Sequence, residues 1–121
     1  MAKKILLIED DANMVVFVQK LIEKLDYEFE CATDGLSGLE KARKVNPDLI
    51  ILDIMLPKLD GFKISRFLKF DQTYEHIPII MLTAKSDAKD QKIGETTGAD
   101  VYITKPFNKQ DLIKAINTFL A

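Results

Sequence analysis

Cysteine and histidine are almost absent from this sequence of 121 residues. Cys31 is the single cysteine and His76 the single histidine, so no internal disulfide can form and nothing favours a zinc site. Long apolar runs are missing too. The N-terminal segment reaches only residues 5–8 before Glu9, which is too short for a signal peptide or a membrane-spanning helix. These absences predict a soluble protein of the cytoplasm.

The sequence also lacks an excess of one charge. It has 17 basic and 19 acidic residues and a net charge of −2, which gives no support for a broad surface that binds nucleic acid or membrane. Linkers, low-complexity segments and sequence repeats are missing as well. A chain of this length suits one compact domain. We therefore expect a single domain over residues 1–121, without direct contact to nucleic acid or membrane.

Apolar strands and amphipathic helices alternate along the chain. The predicted strands are residues 5–8, 27–32, 49–52, 77–82 and 101–103. Apolar residues at helical spacing predict a helix after each strand, the fourth being a weakly apolar segment over residues 86–97. Helical crossovers imply a parallel sheet with helices on both faces. Central strands should be fully apolar, so the prediction is a doubly wound, flavodoxin-like α/β fold with order 2-1-3-4-5 and five helices.

Polar residues follow the strands at one edge of this predicted sheet, because the carboxyl ends of parallel strands lie together. In chain order they are Glu9, Asp10, Asp11, Asp53, Thr83 and Lys105. The acids flank the point where strand order reverses, which is where ligands of open α/β sheets bind. Any one of these residues alone is weak evidence, and Asp11 is as well explained as a helix cap.

Carboxylates so close together repel one another unless a cation lies among them or some of them stay protonated. Oxygen ligands with room for water suit Mg²⁺ or Mn²⁺. A carboxylate beside such an ion is a competent nucleophile toward a phosphoryl group. The transfer then depends on neutralising the phosphoryl oxygens, to which the Lys105 ammonium can contribute and Thr83 can donate a hydrogen bond. The pattern therefore favours phosphoryl chemistry at this edge.

As a set, these motifs resemble the receiver domains of bacterial two-component response regulators, of which the single-domain chemotaxis regulator is the simplest. The resemblance covers the whole chain. The matching motifs are Ile8-Glu9-Asp10-Asp11, Leu52-Asp53-Ile54-Met55-Leu56-Pro57, Asp60-Gly61, Leu82-Thr83-Ala84, Gly98-Ala99-Asp100 and Tyr102-Ile103-Thr104-Lys105-Pro106-Phe107.

The resemblance implies roles for the acids. Asp53 would be the phosphorylated aspartate. Glu9 and Asp10 would hold Mg²⁺, with Mn²⁺ as an alternative, Asp10 directly and Glu9 through water. The backbone carbonyl of Met55 would be a further ligand, together with Asp53 itself. The side chain of Met55 is then free to vary.

The resemblance also implies a switch and its partners. Thr83 and Lys105 would hold the phosphoryl group, Tyr102 would turn inward when Thr83 moves, and the peptide bond before Pro106 would be cis. The only histidine, His76, precedes the fourth strand and therefore lies at the edge opposite the acids. The phosphoryl donor would then be a histidine of another protein, either a histidine kinase or a histidine phosphotransfer protein. The fourth predicted helix, fifth strand and last helix would bind a target protein, or a second copy upon phosphorylation. The chain is either a stand-alone regulator or part of a larger protein.

Three other readings compete with this one. A phosphohydrolase with an aspartyl nucleophile usually carries a second acid two residues later, where this sequence has Met55. A flavin or nucleotide carrier needs a Gly-rich or Ser/Thr-rich phosphate loop after the first strand, where this chain has three acids. A non-phosphorylated interaction module normally lacks some of the acids or the lysine. The prediction is a signalling switch that catalyses only its own phosphorylation and dephosphorylation.

Overall fold

The computed structural model of the protein describes residues 2–56, 58, 60–84 and 99–120. Its strands form one parallel sheet and are β1 (Lys4–Ile8), β2 (Glu28–Ala32), β3 (Leu49–Asp53), β4 (Ile79–Ala84) and β5 (Val101–Lys105). The order in the sheet is β2-β1-β3-β4-β5. This order confirms the predicted doubly wound fold.

Helices connect the strands on both faces of the sheet. The described residues form α1 (Ala12–Lys24), α2 (Gly35–Val45), α3 (Gly61–Lys69) and a C-terminal helix (Lys109–Leu120). The fourth predicted helix, over residues 86–97, lies outside the described residues. Among the helices described, none has the length and hydropathy needed to cross a membrane.

An Asp or Asn side chain caps the N-terminus of each described helix. Asp11 Oδ1 accepts a hydrogen bond from the backbone N–H of Asn13 at 2.9 Å, which satisfies one of the donors that the first turn of a helix leaves unpaired. The caps of the later helices are Asp34, Asp60 and Asn108. The capping interpretation of Asp11 is therefore confirmed, and α1 starts immediately after the acidic pair.

Two hydrophobic layers cover the two faces of the sheet. Successive side chains of a strand point to opposite faces, and in β1 Ile5 and Leu7 pack toward α1 and the C-terminal helix. Leu6 and Ile8 pack toward α2 and α3 on the other face. All positions of β3 are buried, as expected of a central parallel strand. This double burial explains the continuous apolar runs in the sequence.

The boundaries of all five strands differ from the predicted ones by one or two residues, and β1 starts at Lys4 while β3 ends at Asp53. β4 starts and ends two residues later than predicted, β5 extends to Lys105, and β2 starts at Glu28. Backbone pairing causes the extension, because Thr83 pairs with Thr104 and Ala84 with Lys105. Such pairing does not depend on side-chain polarity, whereas the apolar pattern marks only buried positions. Thr83 and Lys105 are therefore held inside strands.

Candidate functional site

Three carboxylates meet where β1 and β3 end. These strands are neighbours, with Ile8 opposite Leu52, so the residues that follow lie side by side. One carboxylate oxygen from each of Glu9, Asp10 and Asp53 lies within 4.8 Å of the other two. Glu9 and Asp53 are buried while Asp10 is exposed. The cluster therefore has a buried floor and one side open to solvent, and its oxygens could hold a divalent cation.

Lys105 reaches this cluster from β5. Its Nζ donates to Asp53 Oδ1 at 3.2 Å and to Glu9 Oε1 at 3.3 Å. Burial alone would lower the pKa of the Lys105 ammonium, but the negative charges of Asp53 and Glu9 outweigh it, so the pKa lies above its usual value. Lys105 is thus a fixed positive charge that bridges two of the acids.

The Glu9 carboxyl is the most strongly perturbed titratable group at the site. Its side chain is fully buried, and Oε2 accepts hydrogen bonds from the backbone N–H groups of Asp10 at 3.1 Å and Asp11 at 3.4 Å. Burial, then the hydrogen bond and charge of Asp53, raise the pKa of Glu9 to about 7, against the opposing effect of Lys105. Near neutral pH, a proton on Glu9 relieves part of the repulsion.

We expect Glu9→Gln to stabilise the metal-free protein at about pH 8 by about 1–2 kcal/mol. A raised carboxyl pKa means that the folded state binds the proton more tightly than the unfolded state. The stabilisation of the folded state by the proton on Glu9 is fully present below about pH 4.5 and is lost as the pH rises through about 7. Glutamine keeps an acceptor for the Asp10 and Asp11 N–H groups and removes the titration. Urea unfolding with a chelator at both ends of this range measures the effect.

Glu40→Gln, on the exposed side of α2, is the matched control and should not change the difference in stability between the two pH values. If wild type and Glu9→Gln lose the same free energy of unfolding between the two pH values, the claim that folded Glu9 holds a proton near neutral pH is refuted.

Thr83 presents a buried hydroxyl on β4, the strand next to β3. Leu82 pairs with Asp53 across β3 and β4, so Thr83 lies one residue beyond Asp53 on the neighbouring strand. Its side chain is 1% exposed, and its Oγ1 has no hydrogen-bond partner within the described part of the chain. A buried hydroxyl without a partner is costly, which indicates a position that a ligand oxygen can satisfy.

The structure also describes the surroundings of two other predicted site residues, Met55 and Tyr102. The side chain of Met55 is 74% exposed, which excludes a role as core filler, and the ligand role of its carbonyl stays a prediction. Tyr102 is partly buried against the layer that contains α2 and α3, and its role as a switch also stays a prediction. The peptide bond between Lys105 and Pro106 is cis, as the resemblance implied.

Gly61 belongs to one of the matching motifs, but the sequence reasoning assigned it no role. A Cβ atom at this position would lie 2.4 Å from the Asp53 carbonyl oxygen and 2.9 Å from the Ile54 Cα. The Gly61 N–H donates to the Ile54 carbonyl at 3.0 Å. Only glycine lets the first residue of α3 approach the backbone of the site so closely. The Asp60-Gly61 pair in front of an amphipathic helix was the available signal.

Residues 5–117 match the model of the response regulator receiver domain family. The chain belongs to this family. Receiver domains are the signalling switches of two-component systems and are phosphorylated by histidine kinases. The comparisons lend no support to the phosphohydrolase alternative.

Regulators of known sequence and receiver domains of known structure are similar to this chain. The alkaline phosphatase synthesis transcriptional regulatory protein PhoP of Bacillus subtilis is 43% identical over 119 residues, which are 96% of this chain and 49% of that protein. The chain spans about half the length of the curated relatives it matches.

Two solved structures illustrate the likeness of the fold. The chemotaxis response regulator CheY4 of Vibrio cholerae is 31% identical with a TM-score of 0.91, over 99% of this chain and 100% of that one. The receiver domain of a sensor histidine kinase from Pseudomonas aeruginosa is 27% identical with a TM-score of 0.89, over 98% of each chain. That receiver domain was solved with a magnesium ion coordinated in its active site cleft.

Proposed function

We propose that residues 1–121 form one receiver domain in which Asp53 accepts a phosphoryl group from a histidine of a partner kinase or phosphotransfer protein. The acylphosphate then changes which partner the domain binds. The observation that carries this proposal is the meeting of Glu9, Asp10 and Asp53 with the ammonium of Lys105 at one edge of the sheet. Acids and a cation in this arrangement suit a phosphoryl group and a divalent cation together.

The donor set fits Mg²⁺, with Mn²⁺ as an alternative. Its ligands are hard oxygen atoms on a rigid edge with one open side, and one carboxylate oxygen from each of Glu9, Asp10 and Asp53 lies within 4.8 Å of the other two. Asp10 and Asp53 would bind the ion directly, Glu9 through water, and the Met55 carbonyl would be a further ligand. When bound, Mg²⁺ neutralises charge on the phosphoryl oxygens. The Pseudomonas receiver domain with its magnesium ion supports this choice.

The transfer itself needs positioning more than covalent machinery. A carboxylate oxygen of Asp53 forms a bond to phosphorus as the bond between phosphorus and the donor imidazole nitrogen breaks, and the electron pair stays on that nitrogen, which takes up a proton. Lys105 neutralises one phosphoryl oxygen as a compact positive charge. Thr83 donates its hydroxyl, which has no hydrogen-bond partner among the described residues, to another phosphoryl oxygen. Met55 stands where a phosphohydrolase has a second acid, so turnover of small substrates is not expected.

The response to phosphorylation would start at Thr83. Its movement toward the acylphosphate would bias the ring of Tyr102 and the segment after β4 between two arrangements. The surface that contains β5 and the C-terminal helix, together with the predicted helix over residues 86–97, would then bind a target protein or a second copy of the chain. That predicted helix lies outside the described residues. We infer a location in the cytoplasm, where a kinase domain could reach Asp53.

Incubation with phosphoramidate and Mg²⁺ tests the proposal, because this donor has the same bond between phosphorus and nitrogen as phosphohistidine. We expect intact-mass spectra to gain one phosphoryl group, which a chelator prevents and hydroxylamine removes, since hydroxylamine cleaves acylphosphates. Incubation without donor is the control for adventitious mass. Labelling that persists with chelator, or that resists hydroxylamine, would contradict a metal-dependent acylphosphate.

A further inference from the structure

Helix α3 has one side in the core and an apolar stripe on the other. Ile64 and Leu68 are buried under the helix. On the opposite side, Phe67 is 54% exposed and Phe70 70% exposed. Residues three and four apart are neighbours on a helix surface, so Lys63 and Arg66 join the two rings in one stripe. This stripe adds nothing to the core of the described structure.

The stripe forms one wall of a surface groove of about 870 Å³. Arg43, at the end of α2, and the turn that follows α3 complete it. Its lining includes Arg43, Lys63, Arg66, Phe67, Phe70 and Asp71. Single exposed apolar residues are common on protein surfaces, but two aromatic rings that share one groove indicate an interaction site. None of the acids of the phosphorylation site lines this groove.

The groove carries an uncompensated positive charge. The lysines that form ion pairs in the described structure lie elsewhere, at Lys41, Lys58, Lys69 and Lys105. Over the same described residues, Arg43, Lys63 and Arg66 form no ion pair. Asp71 is the one acid of the lining, and its Oδ1 accepts a hydrogen bond from the Thr73 N–H at 2.9 Å. Three cations around two aromatic rings therefore favour a ligand that has both acidic and apolar groups.

We propose that this groove between α2 and α3 binds a short acidic segment of a partner protein, with apolar or aromatic side chains of the segment seated on Phe67 and Phe70. Carboxylates of the segment would pair with Arg43, Lys63 and Arg66, as Arg favours bidentate contact with carboxylates. Exposed aromatic and Arg side chains are the usual energetic anchors of interfaces. A nucleic-acid surface would need a longer track of cations, and Asp71 lies inside this groove.

Selection from a random dodecapeptide library displayed on phage tests the proposal. The library is depleted on the Arg43→Glu/Arg66→Glu variant and then selected on the wild-type chain. We expect enriched peptides to combine several acids with aromatic or large apolar residues. Phe70→Ala and the double charge reversal should each lower the affinity for the labelled peptides about tenfold or more, as measured by fluorescence anisotropy. Added salt should also lower this affinity, since the cations are exposed.

Two matched variants separate the groove from general surface effects. Lys3→Glu reverses an exposed charge directly before β1, and Leu36→Ala removes a 49% exposed apolar side chain on α2. Both should bind the selected peptides like wild type, and thermal unfolding should confirm that all variants fold. The proposal is overturned if no acidic peptides are enriched or if the groove variants bind them unchanged. Tighter binding of oligothymidylate, or self-association lost in Phe70→Ala, would instead assign the groove to nucleic acid or to a second copy.

Discussion

Asp53→Asn is expected to lower phosphoryl uptake from phosphoramidate by at least about a thousandfold, because it removes the proposed nucleophile of the reaction. An amide has nearly the same shape as the carboxylate but does not attack phosphorus. Asp53 is buried at the end of β3, so a substitution of similar volume should keep the fold. Intact mass spectrometry over time, with Mg²⁺ present, measures the extent and the rate of labelling.

Asp11→Asn is the matched control, since it makes the same chemical change directly after the acidic pair. Asn caps helices as well as Asp does, and the bond from Asp11 Oδ1 to the Asn13 N–H can be kept. We expect this variant to be labelled like wild type. Peptide mapping that finds the phosphoryl group on Asp10 or on another residue of Asp53→Asn would refute the assignment of the nucleophile.

The strand order could be predicted because a strand that is buried on both faces of the sheet consists of apolar residues throughout. Residues 5–8 and 49–52 are continuous apolar runs and form the central strands β1 and β3. The alternating pattern of residues 27–32 indicated an edge, and β2 lies at one. Strand ends could not be predicted in the same way. The start of β4, for example, depends on backbone pairing with β3, where the Ile50 N–H donates to the Pro78 carbonyl at 3.0 Å.

Helix faces show a second limit of pattern reading. The segment 61–70 has two apolar stripes, one with Ile64 and Leu68 and one with Phe67 followed by Phe70. Helical spacing alone does not decide which of the two faces the sheet. Contacts with the neighbouring strands decide it, since Ile64 and Leu68 pack with the layer formed by β1, β3 and β4. The exposed aromatic stripe was therefore not identified from the sequence.

The membership of the acidic site could be predicted, but its electrostatics could not. Parallel topology is sufficient to bring the residues after β1 and β3 together. Two adjacent acids then differ in their environment, because Glu9 is fully buried and Asp10 is exposed. The raised pKa of Glu9 follows from that burial first. The contact of Lys105 with both Glu9 and Asp53 depends on the extension of β5 beyond its apolar residues.

Lys105→Met is expected to slow phosphoryl uptake about a hundredfold, the effect typical of removing one preorganised group that stabilises developing charge. In the resting structure the Lys105 Nζ lies 3.2 Å from Asp53 Oδ1, so the ammonium is already beside the atom that would attack phosphorus. Methionine keeps much of the apolar stem of the side chain and removes the charge. Initial rates of labelling with phosphoramidate at saturating Mg²⁺ measure the loss.

Binding of Mg²⁺ should change in the opposite direction. The Lys105 ammonium occupies the same carboxylates that would hold the cation, since it donates to both Glu9 Oε1 and Asp53 Oδ1. Removing it leaves the acids with more uncompensated charge, so titration calorimetry should find tighter Mg²⁺ binding in Lys105→Met. Lys105→Arg keeps a positive charge with a different shape and should lie between wild type and Lys105→Met in both measurements. Slower labelling together with weaker Mg²⁺ binding would mean that the substitution damages the metal site, and the role of Lys105 in neutralising the phosphoryl group would then be refuted.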